Sequence, residues 1–109
     1  MEKKYLGKIT SAEFGKISDY PMYMGLLLEF TFDGNRYVGD GGKFTINMSK
    51  HRKWSTEERR LAIEEQMDAV YKLLNDAKVR TVSQLENKPV EITVENNTFK
   101  DFRILTEVL

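Results

Sequence analysis

Hydrophobic and polar positions alternate with period two over most of this chain and follow a helical period over one stretch. Residues 4–14, KYLGKITSAEF, set Leu6, Lys8, Thr10 and Ala12 on one parity and Tyr5, Gly7, Ile9 and Ser11 on the other, which predicts a first strand bent at Gly7. Residues 15–25, GKISDYPMYMG, carry the punctuation of a loop in Gly15, Ser18, Asp19 and Pro21. The clearest strand follows, with Leu26, Leu28, Phe30 and Phe32 on one face and Leu27, Glu29 and Thr31 on the other. Asp33-Gly34-Asn35 supplies turn chemistry, since Asp and Asn tolerate left-handed backbone and Gly adopts it freely. That turn leads into a hairpin at Arg36-Tyr37-Val38, and after a glycine-rich segment Lys43 to Met48 forms another strand.

The period then changes. Ser55-Thr56-Glu57-Glu58 fits a capping box and opens a long helix, from Thr56 to about Ala77. Leu61, Met67, Val70, Leu74 and Ala77 make its apolar stripe, widened by Ile63, Tyr71 and Leu73. At 1.5 Å per residue it reaches about 33 Å, enough to cross a small sheet. TVSQLENK suits one short helical turn before Pro89. Val90, Ile92 and Val94 alternate with Glu91, Thr93 and Glu95, and Asn96-Asn97 turns the chain into a closing strand with Phe99, Phe102, Ile104 and Val108. The expectation is α+β: an antiparallel sheet of about five to six strands with one long helix packed across it, in a single globular domain over 1–109.

Composition narrows the classes of function. With no cysteine, the chain has no disulfide, thiolate metal site or cysteine nucleophile, which fits a reducing compartment. No apolar run suffices to span a bilayer, so a cytoplasmic protein with no membrane partner is expected. Seventeen basic residues balance seventeen acidic ones, so any grip on nucleic acid has to be local. The basic residues concentrate in KHRKWSTEERR, where Lys50, Arg52, Lys53, Arg59 and Arg60 surround Trp54.

Several stretches carry a resemblance: KITSAEFG, YPMYMGLLLEF, GDGGKFTINMS, a Trp just before the helix, LNDAKV, LENKPVEITVEN and DFRILTEVL. Together they span most of the chain, which resembles a group of small uncharacterised proteins encoded by bacteriophages and prophages of Gram-positive bacteria. The resemblance brings no activity and no catalytic residue with it. What it implies is context, since small phage accessory proteins often inhibit host defence, sequester nucleotide signals or bind host enzymes.

Three constellations are candidates for chemistry. Gly39, Gly41 and Gly42 can present backbone N–H groups as an anion nest, with Arg36, Lys43, Lys50 and Arg52 completing a phosphate site. The competing reading is a bulge or tight turn where strands cross, and the spacing is not that of a P-loop. Arg52, Arg59 and Trp54 can recognise phosphate or anchor a protein partner, or else form local salt bridges and a hydrophobic staple on the first helical turn. Tyr20, Met22, Tyr23 and Met24 suit an adaptable interface, or plug the open end of the core. Asp33, Asn35 and Asp40 lack a calcium-loop pattern and serve turns, and His51 stands alone, so no metal is expected.

No nucleophile and base pair or cofactor fingerprint stands out, so the expectation is a non-enzymatic protein without cofactor. The first reading is a phage-encoded inhibitor of a host defence or replication protein, working in the host cytoplasm through Tyr20, Met22, Tyr23, Met24, Trp54 and Arg59. The alternatives are a sponge for a phosphorylated nucleotide, holding it with the glycine segment and basic cluster, and a DNA-binding accessory protein. Exposed strand edges also offer a route to a homodimer or higher homo-oligomer.

Overall fold

The computed structural model describes residues 1–49 and 53–109; Lys50, His51 and Arg52 of the basic run lie outside the described residues. The strands β1 (Glu2–Lys16), β2 (Tyr23–Phe32), β3 (Arg36–Gly39), β4 (Phe44–Asn47), β5 (Pro89–Glu95) and β6 (Thr98–Ile104) form one antiparallel sheet, and the helix α1 (Thr56–Ala77) packs against it. This is the α+β architecture that the hydrophobic pattern predicts. Among the described residues no helix is long and apolar enough to cross a membrane.

β1 is shared between the two halves of the sheet. Its residues 2–8 pair with β5, while 7–16 pair with β2. Thr10 is an extra residue between the pairs made by Ile9 and Ser11. A bulge of this kind reverses which parity faces inward: Tyr5 and Ile9 pack inward before it, Ala12 after it. Strict alternation along residues 4–14 is weak for that reason. Gly7 sits where β1 is pressed between β2 and β5, and a Cβ there would stand 2.3 Å from the Thr31 carbonyl oxygen.

Tyr23 and Met24 are not loop residues, as the punctuation suggested, but the start of β2, opposite Asn47 and Ile46. Gly25 misleads the reading, because it permits close approach of β4: a Cβ would meet the Phe44 carbonyl oxygen at 2.1 Å. The free edge of β2 is filled by two strands in line, β3 on Glu29–Phe32 and β4 on Tyr23–Leu26. Residues 40–43 stand opposite only Leu27 and Leu28, so the glycine segment is a loop thrown out of an otherwise continuous edge strand. Gly41 and Gly42 have φ of 68° and 80° there, the left-handed backbone that glycine adopts most readily.

Phe30 of β2 meets Phe99 and Phe102 of β6 at ring-centroid distances of 5.6 and 4.7 Å, although β1 and β5 separate these strands in the sheet. The sheet therefore curls on itself. Phe44 reaches Phe102 at 6.1 Å and Lys43 bridges to Asp101 at 3.1 Å, so side chains close the seam between β4 and β6. Antiparallel pairing at every step makes β4 and β6 run in the same direction across it. A long first strand shared by two neighbours, a helix between β4 and β5, and a parallel seam give the connectivity of a partly open Greek-key barrel of the OB type. Ile9, Leu26, Phe30, Leu85, Val90 and Ile92 fill its interior with no solvent exposure.

α1 begins as predicted. Ser55 Oγ accepts from the Glu58 amide at 3.0 Å, and Glu58 Oε1 accepts from the Ser55 amide at 3.2 Å. It ends where Lys78 turns left-handed, at φ 58°. The buried face is displaced from the predicted stripe: Leu73 and Ala77 are buried, whereas Leu61, Met67 and Tyr71 are exposed. The helix lies along β4 at the sheet's edge rather than over its centre. Gln66, Ala69 and Leu73 meet β4 and its seam, Val70, Leu74 and Ala77 also pack on the core, and Leu61, Met67 and Tyr71 stay in water.

Candidate functional site

Residues 17–22 form a tight connection, with the Tyr20 amide donating to the Ile17 carbonyl and the Tyr23 amide to the Tyr20 carbonyl. Tyr20 and Met22 are left exposed at its tip, by 60% and 42%. The Met48 amide donates to the Met22 carbonyl at 2.6 Å, which ties the end of β4 to this hairpin. β2 then points alternate residues to opposite faces, as any strand does. Met24 borders a cleft of about 160 Å³ lined by Phe14, Ile46, Met48, Met67 and Val70, with Gln66 its one polar side chain. Tyr23 borders a second cleft of about 440 Å³, with Trp54, Asn47, Ala62 and Glu65.

The two clefts lie on either side of one contact, since Phe44, Ile46 and Gln66 line both. Gln66 Nε2 donates to the carbonyls of Lys43 and Thr45, each at 3.3 Å, and so covers the outer edge of β4. Its Oε1 is buried without a partner among the described residues. Arg59 Nη2 lies 3.9 Å from the Met48 sulfur. Of the contact residues singled out in the sequence, Tyr23, Met24 and Trp54 thus line the clefts, Met22 and Arg59 engage Met48 at their rim, and Tyr20 stands at the hairpin tip.

Phe14, Met48 and Met67 belong to the same surface and were missed. Phe14 follows the bulge, where a parity count made before it no longer holds; Met67 was assigned to the buried stripe. Met24, Met48, Met67 and Phe14 gather exposed apolar side chains around an apolar depression, and unbranched thioether side chains repack at little cost.

The phosphate constellation is distributed differently. The Gly42 amide donates to Asp40 Oδ1 at 3.1 Å, so the chain's own carboxylate occupies the donor that a nest would offer an anion. Asp40 is buried, its Oδ2 has no partner among the described residues, and burial raises its carboxyl above the ordinary value against the opposing hydrogen bonds from backbone amides. Lys43 is drawn to Asp101. Arg36 stacks its guanidinium over the rings of Tyr5 and Phe32, at 5.4 and 4.8 Å, and bridges to Asp33. Gly39 lies within β3, and Lys50 and Arg52 are outside the described residues. Elsewhere the charges serve the strands: Lys100 holds Glu2 below its ordinary carboxyl value, and Arg103 does the same to Glu107.

Among the described residues no group of three or more His, Asp or Glu side chains is placed to hold a metal ion. No family model matches this chain, and neither the curated proteins nor the solved structures contain a match.

Proposed function

We propose that this chain is a non-enzymatic protein-binding module that works by occupying its partner. The observation that carries this reading is the apolar cleft of Phe14, Met24, Met48 and Met67 beside the Trp54 cleft, with Tyr20 and Met22 exposed at the hairpin that leads into β2. Exposed apolar side chains gathered in one place cost solubility and mark contact surfaces. The resemblance to phage and prophage proteins supports a host defence or replication protein as the partner, inhibited in the host cytoplasm.

A second reading has one observation in its favour. The OB-type connectivity presents an outer face on β1, β2 and β3, where Tyr37 is 71% exposed and shares a cross-strand row with Thr31 and Lys8. Aromatic and basic side chains on such a face suit stacking of single-stranded bases. A fold alone does not assign that role, and formal neutrality weighs against it. The nucleotide sponge has less behind it, given that Asp40 holds the Gly42 amide.

The test is capture from host lysate by the tagged chain, with and without nuclease, in parallel with Met22→Glu, Trp54→Ala and Tyr37→Ala. The reading expects a nuclease-resistant protein whose recovery falls at least tenfold with Met22→Glu or Trp54→Ala and is unchanged with Tyr37→Ala. Equal recovery by all variants overturns it. Nuclease-sensitive material lost only with Tyr37→Ala transfers the assignment to nucleic acid.

A further inference from the structure

β1 has an edge that nothing among the described residues covers. Its pairing with β5 ends at Lys8, and the backbone of Ile9 is taken by Asn87 and Lys88. From Ala12 to Lys16 the strand has β2 on one side only. The outer edge of β4 is closed by Gln66 and by the side-chain seam it shares with β6, while β3, paired only with β2, offers a four-residue edge beside the exposed Tyr37 rather than beside the Phe14 cleft.

Which groups face that edge follows from the alternation of an antiparallel ladder. The Ile17 amide donates to the Tyr23 carbonyl, so residues 15 and 13, paired with Gly25 and Leu27, also bond to β2. The N–H and C=O groups of Ala12, Phe14 and Lys16 therefore point outward. The same residues direct their side chains to the cleft side, where Phe14 is 53% exposed beside Met24 and Met67. A partner strand must satisfy both the backbone row and the aromatic ring.

We propose that the occupant is a second copy of this chain, pairing β1 with β1 in antiparallel fashion about a two-fold axis at Phe14. Among axes at Glu13, Phe14 and Gly15, the centre of the uncovered segment, the strand favours this one. Outward-facing residues must pair with outward-facing residues, so an axis can fall on a residue but not between two neighbours. An axis at Glu13 sets two carboxylates directly opposite, which is destabilising. An axis at Gly15 pairs Ala12 and Glu13 with residues beyond the end of β1. An axis at Phe14 sets Ala12 opposite Lys16, Glu13 opposite Gly15, and the ring against its own copy, with every paired residue inside the strand. Roughly six backbone hydrogen bonds form, and the exposed Phe14 ring gains an aromatic cross-strand partner. The interface is small, so association in the micromolar range follows. It does not depend on a host partner.

The experiment is sedimentation equilibrium of the full chain, alone, from low to high micromolar concentration, followed by Phe14→Lys and Phe14→Asp separately and mixed. Residue 14 faces itself only in this register. Wild type is expected to reach twice the chain mass, each variant to remain monomeric with an unchanged circular dichroism spectrum, and the mixture to recover the dimer. Amide exchange gives an independent reading: protection at Phe14 and Lys16 rises with concentration, while Glu13 and Gly15 are protected throughout. A monomeric wild type, a dimer that survives Phe14→Lys, or a mixture that stays monomeric overturns the proposal. Phe14 also borders the surface assigned to the host partner, so the dimer and that partner would compete there; the two readings fail separately, because the host assay is read at Met22 and Trp54, which lie outside β1.

Discussion

Asp40 shows how one residue sets a local choice between function and architecture. Its carboxylate fills the turn it sits in, accepting from Gly42, and leaves one oxygen buried and unpaired among the described residues. Burial raises its proton affinity in the folded state. Folded protein therefore binds this proton more tightly than unfolded protein, so stability is highest below the ordinary Asp range and falls as pH rises through the folded value. At neutral pH the full penalty is present. Asp40→Asn keeps an oxygen acceptor for Gly42 and removes the charge, so it is expected to raise stability at pH 7. That gain should fade as pH drops through the raised folded value and be gone below about 3.9, where the unfolded carboxyl is protonated as well. Thermal melts across pH check this; a difference independent of pH would place the effect elsewhere. The glycines around Asp40 were legible in the sequence as a turn or a nest, and only the bond from Gly42 shows what fills it.

At the scale of elements, the helix and both turns with left-handed Asp or Asn were written locally and were read correctly. Ser55 and Glu58 close a capping box, Asn96 and Asn97 take φ of 52° and 63°, and Leu26, Leu28, Phe30 and Phe32 face inward. What local pattern could not give was where α1 would rest. A helix placed over the centre of the sheet would have buried Leu61 and Met67; one lying along β4 needs small residues and one polar residue that can reach an unpaired strand edge. Gln66 does this with two bonds to β4 carbonyls. Gln66→Met retains length and volume while removing the donor. It should cost about 1 kcal/mol, the ordinary net worth of such bonds, seen in urea unfolding, with faster amide exchange in β4 than in β5. No loss of stability would mean that Phe44 and Ile46 hold the helix without it. The bulge at Thr10 was hidden for a related reason, since an extra residue in a strand leaves no compositional mark and reveals itself only through its partner's register.

At the scale of the whole molecule, the decisive event is that an open sheet curls until its two outer strands meet. Two kinds of contact cross the seam, and their magnitudes differ. Lys43 and Asp101 are both about half exposed, and a pair of that kind contributes about 0.5 kcal/mol or less after solvent screening. Phe102 touches Phe30, Phe44 and Phe99, binding β6 to β2 and β4 at once. Truncating a buried aromatic ring costs about 3 to 5 kcal/mol, and Phe102 is partly exposed, so the lower end of that range applies. Phe102→Ala should therefore lower stability by about 3 kcal/mol, whereas Lys43→Ala should change it little. The location of the damage is the sharper test. If the rings hold the seam, Phe102→Ala will speed amide exchange in β4 and β6 far more than in the β1–β2 ladder, which closes without them. Uniform loss across all strands would mean instead that the barrel opens only by unfolding as one body.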